Sequence, residues 1–583
     1  MILQALKEYY DRIMSHTETM IAPEGFEERA LDFLILIDEK GEFIEIEDTR
    51  ERINGKLIAK KFLVPRSKGR SGSLSYKTTF LLWDHIGYLL GFPTSDVKSE
   101  KQHKAWLDEL ERLPPELAAD AGVNAVIQFY KQDGVAKVLA DQYFLEHVKS
   151  SKYNLSFRLT SDVFPVPCRD KVREFVKQTL VTVNVNDKKG VCLVTGEQGV
   201  IARTHNSISL NKDTKSLVGF QKNSGYDSYK KEQGYNAPII ESTEFAYVTA
   251  LNSLLKSKSQ CFKINDLSMV FWSSKEDSSE SDFIYLFKDQ EEDNPGKATD
   301  KVKSLFKSIN DGAYCEDGST TKFYLLGLSP NMARISVQLW QVGTVSEIAT
   351  HIRQHFKDFT ISKSDREPLY YVPEAILVDI ASQGEIKNVP SYLAGDFMKS
   401  ILSGTPYPTG LLQLALMRIQ NTLENRVPPV RAALIKAYLN RYYRFNPDIN
   451  YREVGAELDT TQPSMAYHLG RLFAILEKIQ QQTHRNPNAT IRERFYGTAS
   501  TTPVVAFATL LDLKEHHLKT IKNNGKTGIA NYLDRLLVET MSSLGEIPTH
   551  LSLHEQGIFA IGYYHQRKSF LQEKTNNLKK ERV

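Results

Sequence analysis

Cations, amides and glycines crowd into two stretches of this 583-residue chain, and neither has the spacing of a catalytic motif. The first is VPRSKGRSGSLSYK, residues 64–77, in which Arg66, Lys68 and Arg70 alternate, Ser71, Ser73 and Ser75 are short donors, and Lys77 closes the run. Alternating charge suits phosphate, while Gly69 and Gly72 let a backbone approach a partner closely. Such a loop fits a nucleic-acid groove, although a plain solvated basic loop has the same composition. The second stretch runs from Val191 to Pro238. It holds Arg203, His205, Asn206, Ser224, Tyr226, Lys230, Lys231, Gln233 and Asn236, punctuated by Gly219, Gly225 and Gly234. Amide and hydroxyl donors, amines and rings on such a backbone suit a surface for phosphates and bases, with a long polar surface loop as the alternative.

Three further patterns resemble catalytic or metal-binding motifs. AILVDIASQGEIK places Asp379 on a strand-like run, with Glu385 and Lys387 beyond the turn Ser382-Gln383-Gly384. That is the D…ExK order of metal nucleases, in which carboxylates on two strands hold a divalent cation. The pattern is short, and no further acidic ligand or base accompanies it. His516-His517 and the i,i+4 pair His550/His554 fall in or near helices. No HExxH glutamate accompanies them, so they read as capping or surface histidines rather than zinc ligands. No GxxxxGK[ST] or GxGxxG follows a strand, and no GxSxG occurs. The reading is a non-enzyme without metal or cofactor.

The elements that must position these residues form a multidomain α+β chain, since 583 residues exceed one core. Net charge is only +3, so nucleic-acid binding must come from local patches. Cys168, Cys192, Cys261 and Cys315 lie far apart without a CxxC pair and read as reduced thiols of a cytoplasmic protein. Lys7, Glu8, Asp11 and Arg12 interrupt the apolar N-terminus, which does not read as a signal peptide. No apolar run approaches membrane-spanning length.

An N-terminal α+β domain over 1–150 opens with an amphipathic helix and the hairpin FLILIDEKGEFIEIE, then carries the basic loop. A central domain over 151–390 is read as strand-rich. Within it, a strand at Phe283–Phe287, a helix near 299–309, strands KFYLLGL and RISVQLW and a helix near 344–356 suggest a ferredoxin-like unit. From 395 to 583 amphipathic helices predict a bundle. Arg441 and Arg444 flank one of its apolar stripes, and Lys574 and Lys579 lie at its basic end.

Several segments are carried by a known family. CLVTGE, IARTHNSI, SYKKEQGYNAP and FAYVTALNSLL in the centre resemble the large subunit of the type I-C (Dvulg subtype) CRISPR Cascade surveillance complex. So do MILQALKEYYDRI at the start and AYHLGRLFAILEKIQ, ASTTPVVAF and LSLHEQGIFAIGYYHQR near the end, so the similarity spans nearly the whole chain. The resemblance implies a non-catalytic subunit beside the protein that holds the crRNA 5′ handle, in contact with backbone and small subunits. Such a subunit recognises the protospacer-adjacent motif (PAM) in double-stranded DNA, promotes R-loop formation, stabilises the non-target strand and recruits a helicase-nuclease. Guide pairing reads the sequence, so the protein reads only a few base pairs and backbone shape.

On that reading, the loop Arg66–Ser75 with Lys77 enters a groove at the PAM. Asn206, Ser224, Tyr226, Lys230, Lys231, Gln233 and Asn236 then supply hydrogen bonds and phosphate anchors. The bundle, with Arg441, Arg444, Lys574 and Lys579, guides the non-target strand. The family also implies a small subunit translated from an internal start, with Met465 or Met417 as the candidate. The other readings are a metal-dependent nuclease using Asp379, Glu385 and Lys387, and an assembly scaffold without DNA readout.

Overall fold

The computed structural model describes residues 1–15, 21–53, 55–67, 70, 74–148, 152–181, 187–210, 213–225, 231–275, 284, 321–332, 334–364, 367–422, 426–483 and 490–580. These form two compact units, one of residues 1–208 and 216–251, the other of residues 209–215 and 252–583. The fold is the expected α+β, with strands in the N-terminal and central regions and helices towards the C-terminus.

In the first unit, the amphipathic helix α1 (Ile2–Met14) buries Ala5, Leu6, Tyr9 and Tyr10 on one face. The strands that follow are β1 (Phe26–Ala30), β2 (Phe33–Ile37), β3 (Phe43–Asp48), β4 (Arg50–Ile53), β5 (Lys56–Ala59), β6 (Lys61–Pro65), β7 (Trp83–His85) and β8 (Asn154–Leu159). Four of them make a mixed sheet in the order β3-β2-β8-β7, with β2 parallel to β8. The central FLILI of β2 is buried throughout because both faces are covered. Phe33, Ile35 and Ile37 face a core with Val126, Phe129 and Phe157, while Leu34 and Leu36 face Phe62, Val64 and Trp83.

Strands β1 and β6 pair antiparallel, so the basic loop leaves from Pro65 at the end of a paired strand. Its far end returns through β7, where the fully buried Trp83 donates its indole N–H to the Pro65 carbonyl at 2.8 Å. Residues 151–190, read as strand-rich, hold β8 and a helix at Asp170–Val181 instead. The reason is the four-residue spacing of Val172 and Val176, which puts both on one buried helical stripe. Helix α2 spans Glu241–Lys256, and its residues through 251 belong to this unit.

In the second unit, β9 (Cys261–Ile264), β10 (Leu267–Ser273), β11 (Lys322–Asn331) and β12 (Arg334–Thr344) form a sheet in sequence order, every pair antiparallel. The expected strands KFYLLGL and RISVQLW are β11 and β12, and the helix expected near 344–356 follows them as Val345–Asp358. The expected strand Phe283–Phe287, apart from Ile284, and the helix near 299–309 lie outside the described residues.

Helices α3 (Val345–Asp358), α4 (Pro373–Ile380), α5 (Ser391–Ser403), α6 (Pro429–Phe445), α7 (Met465–Thr483) and α8 (Leu553–Lys580) share one core with the sheet, continuous from Phe262 to Phe570. The helices after Met465 therefore pack into the same core as those before it. Helices α7 and α8 approach so closely that a Cβ at Gly470 would lie 2.1 Å from the Phe559 carbonyl oxygen. A Cβ at Gly562 would lie 2.1 Å from that of Tyr467, so both positions require glycine. No described helix is long and apolar enough to cross a membrane.

The AILVDIASQGEIK run is a second correction. Asp379 lies on helix α4, not on a strand, because Pro373 starts a helix whose Ile376, Leu377 and Ile380 bury at helical spacing. Its carboxylate accepts from Arg431 Nε at 2.9 Å and Nη2 at 3.1 Å. Glu385 and Lys387 pair with each other at 2.6 Å on exposed single turns. The strand–turn–strand frame of a D…ExK site is therefore not formed by these residues.

Candidate nucleic-acid interface

Glu244 on α2 joins the two stretches. Its side chain is only 4% exposed and accepts from the Asn206 backbone N–H at 2.7 Å and from Asn206 Nδ2 at 3.0 Å. Arg66 Nη2 lies 3.6 Å from the other carboxylate oxygen, and its guanidinium rests over the Phe245 ring, 4.6 Å from the centroid. One carboxylate thus holds the root of the basic loop against the head of the central stretch. Burial raises the carboxyls of Glu24 and Glu241 above their usual range, with the Arg66 charge pulling both back down. Arg66 is therefore embedded among acids. Beside it, buried His205 meets the Tyr247 hydroxyl at 2.6 Å, and burial lowers the pKa of His205 and raises that of Tyr247.

Arg70 is committed inward as well. Nη1 donates to Asp84 Oδ1 at 2.9 Å, Nη2 donates to Oδ2, and Nε donates to the Thr78 carbonyl at 2.7 Å. The guanidinium is sandwiched by Phe80 at 3.7 Å and Tyr88 at 4.0 Å, and the side chain is 18% exposed. Burial raises the carboxyl of fully buried Asp84, opposed by the Arg70 charge. Arginine suits this place because its planar fork pairs bidentately with carboxylate and stacks on rings. The expectation that Arg70 faces phosphate is corrected: it clamps the loop's C-terminal root, as Arg66 does the N-terminal one.

Lys68, between these arginines, and Ser71 and Ser73, after Arg70, lie outside the described residues. Lys77 is exposed at the end of the single turn Ser75–Lys77, which is held by the Tyr88 hydroxyl donating to the Ser75 carbonyl at 3.2 Å.

In the central stretch, Lys231 is exposed, as is Ser224, whose hydroxyl donates to the Lys222 carbonyl at 3.4 Å. Asn206 is tied to Glu244, and Asn236 Nδ2 donates to the carbonyls of Lys231 and Gln233, each at 3.0 Å. These amides brace a turn; Gln233 takes a φ of +47° in it. Gly234 must be glycine, since a Cβ there would lie 2.3 Å from the Ala202 carbonyl oxygen. Tyr226 and Lys230 lie outside the described residues.

The bundle cations divide similarly. Arg441, expected on a strand-guiding face, is 1% exposed, donates from Nε to Asp358 at 3.0 Å and stacks over Tyr407 at 4.2 Å. Arg444 bridges Asp358 and Glu453, each at 2.6 Å. Arg441 is thus committed inward, because Asp358 is buried at the end of α3 and needs cations, while Arg444 pairs with the same carboxylate and stays one-third exposed. The side chains of Lys574 and Lys579 lie outside the described residues.

Sequence reasoning missed Glu244 and Asp84. A lone acid inside the apolar FLLWDHIGYLL was the available signal for Asp84, since a buried carboxylate demands a partner. Glu244 meets Asn206 across 38 residues, which no local periodicity reveals.

His554 Nδ1 shares a hydrogen bond with the Tyr443 hydroxyl at 3.0 Å. Among the described residues no three His, Cys, Asp or Glu side chains cluster to hold a metal. Cys168 and Cys192 are free thiols, and Cys315 lies outside the described residues. What this face of the first unit offers is exposed amines beside rigidly braced amides and hydroxyls.

No curated protein matches the chain. A family model described as CRISPR-associated protein (Cas_Csd1) matches residues 6–571, nearly the whole length. The chain therefore belongs to the Cas_Csd1 family of CRISPR-associated proteins.

Proposed function

We propose that this protein is the large subunit of a type I-C Cascade and that its first unit reads the PAM in duplex DNA. The observation that carries the reading is the convergence of Arg66 and Asn206 on Glu244, which sets the basic loop and the amide-rich stretch in one unit. Arg66 and Arg70 fix the roots of the loop. Lys68, Lys77 and Lys231, with Ser224, Tyr226 and Lys230, meet the DNA. Phosphate contacts by the lysines set orientation, and small residues at the loop tip permit groove entry. Guide pairing then supplies sequence specificity, and the subunit promotes strand opening, supports the non-target strand and recruits a helicase-nuclease in the cytoplasm. Catalysis belongs to that partner.

The test is a gel shift of the assembled complex on duplexes that differ only in candidate PAM bases, over a salt series. Lys68, Lys77 and Lys231 replaced together by alanine should weaken binding and flatten the salt slope by about one unit per lost phosphate contact. PAM-dependent affinity equal to wild type would contradict the reading. Binding by the wild-type complex that ignores those bases would instead support an assembly scaffold.

A further inference from the structure

A pocket of about 740 Å³ opens in the second unit, lined by residues at the end of α3, along α6 and in the segment 453–456. Its charged lining is Lys357, Asp358, Lys436, Arg441, Arg444 and Glu453. Both carboxylates are already taken. Asp358 accepts from Arg441, from Arg444 and from Gln354 Nε2 at 2.8 Å, and Glu453 accepts from Arg444.

Lys436 is 5% exposed and has no hydrogen bond or ion pair among the described residues. Burial lowers its amine to about 8, with the more distant Asp358 and Glu453 opposing. Arg441 Nη2 is likewise buried without a hydrogen-bond partner. A buried ammonium beside an unused guanidinium nitrogen is an arrangement completed by an anion.

We propose that this pocket binds a phosphoryl group through Lys436 and Arg441, with Lys357 at its exposed rim. The lining carries two more positive than negative charges, which matches a phosphate monoester dianion, and the volume suits a ligand of nucleotide size. A monoester on a free nucleotide and a phosphate within a strand share this chemistry, and the test separates them.

Thermal unfolding of the full chain is followed with inorganic phosphate, thymidine monophosphate or an unphosphorylated oligothymidylate, each at ionic strength matched with potassium chloride. Phosphate and the monophosphate should raise the melting temperature by a few degrees through linkage. Lys436→Met should melt higher than wild type without ligand, having lost a buried charge that no direct ion pair holds, and should lose the ligand-dependent rise. Lys357→Ala, at an exposed position, should fold normally and show a smaller rise. A rise seen only with the oligothymidylate, and lost in Lys436→Met, would assign the phosphoryl group to a strand. No rise with any of the three, or an equal rise in Lys436→Met, would overturn the proposal.

Discussion

Replacing Asp358 with alanine should destabilise the second unit by about 3–5 kcal/mol, the range for removing one partner of a buried ion pair. The upper end is expected because two cations lose their counter-charge together. Arg441 is only 1% exposed, so little water solvates it where it stands. Its remaining partners are the carbonyls of Ser400 at 3.2 Å and Thr405 at 3.5 Å and the Tyr407 ring, none of which carries charge. Arg444 is one-third exposed and keeps Glu453, so it adds less. Denaturant unfolding of Asp358→Ala should show a lowered midpoint with an unchanged slope for this unit. The double variant Asp358→Leu/Arg441→Met should recover much of the loss, since apolar replacement of a whole buried pair is often neutral. A loss under about 1 kcal/mol in the single variant would place the pair among weak surface bridges.

Replacing Asp84 with alanine should cost about 3 kcal/mol, the lower end of the same range. Asp84 is fully buried and accepts from Arg70 and from the backbone N–H groups of Phe80 at 3.1 Å and His85 at 2.8 Å. Arg70 keeps the Thr78 carbonyl and two aromatic faces, and at 18% exposure it gains some water, which limits the penalty. The functional effect should exceed the stability effect. Without the Asp84 clamp the loop loses its C-terminal root while Arg66 still holds the other, so PAM-dependent affinity of the assembled complex should fall at least about tenfold. Arg70→Lys should lose affinity too, because an ammonium does not reproduce a bidentate, ring-stacked fork. Wild-type affinity in a folded Asp84→Ala complex would remove the clamp from the account.

Legibility in the sequence followed the range of the interaction. Helix α1 and the β2–β3 hairpin were readable because their apolar periodicity is local. Asp379 misled, since the apolar run Ala375–Val378 before it is too short for its period to separate a strand from a buried helix. In the second unit β9–β10 and β11–β12 are local hairpins, but the pairing of β10 with β11 brings Ser273 opposite Phe323, which no local pattern reveals. The basic loop was visible as composition, yet the destinations of its arginines were not. Alternating cations announce positive charge but say nothing about whether a buried Asp84 or Glu244 will claim it. Arg441 shows the same limit, because a cation flanking an apolar stripe is solvated or buried according to what the neighbouring helix presents.

The central claim is that the tip of the loop between Arg66 and Lys77 touches duplex DNA beside the guide-paired region. A photo-crosslinking amino acid placed at Lys68 or Lys77, in the assembled complex bound to target duplex, tests it directly. The expected product joins the protein to bases at the PAM and disappears when those bases are changed. Crosslinks only to neighbouring protein subunits, with none to DNA from either position, would contradict the account.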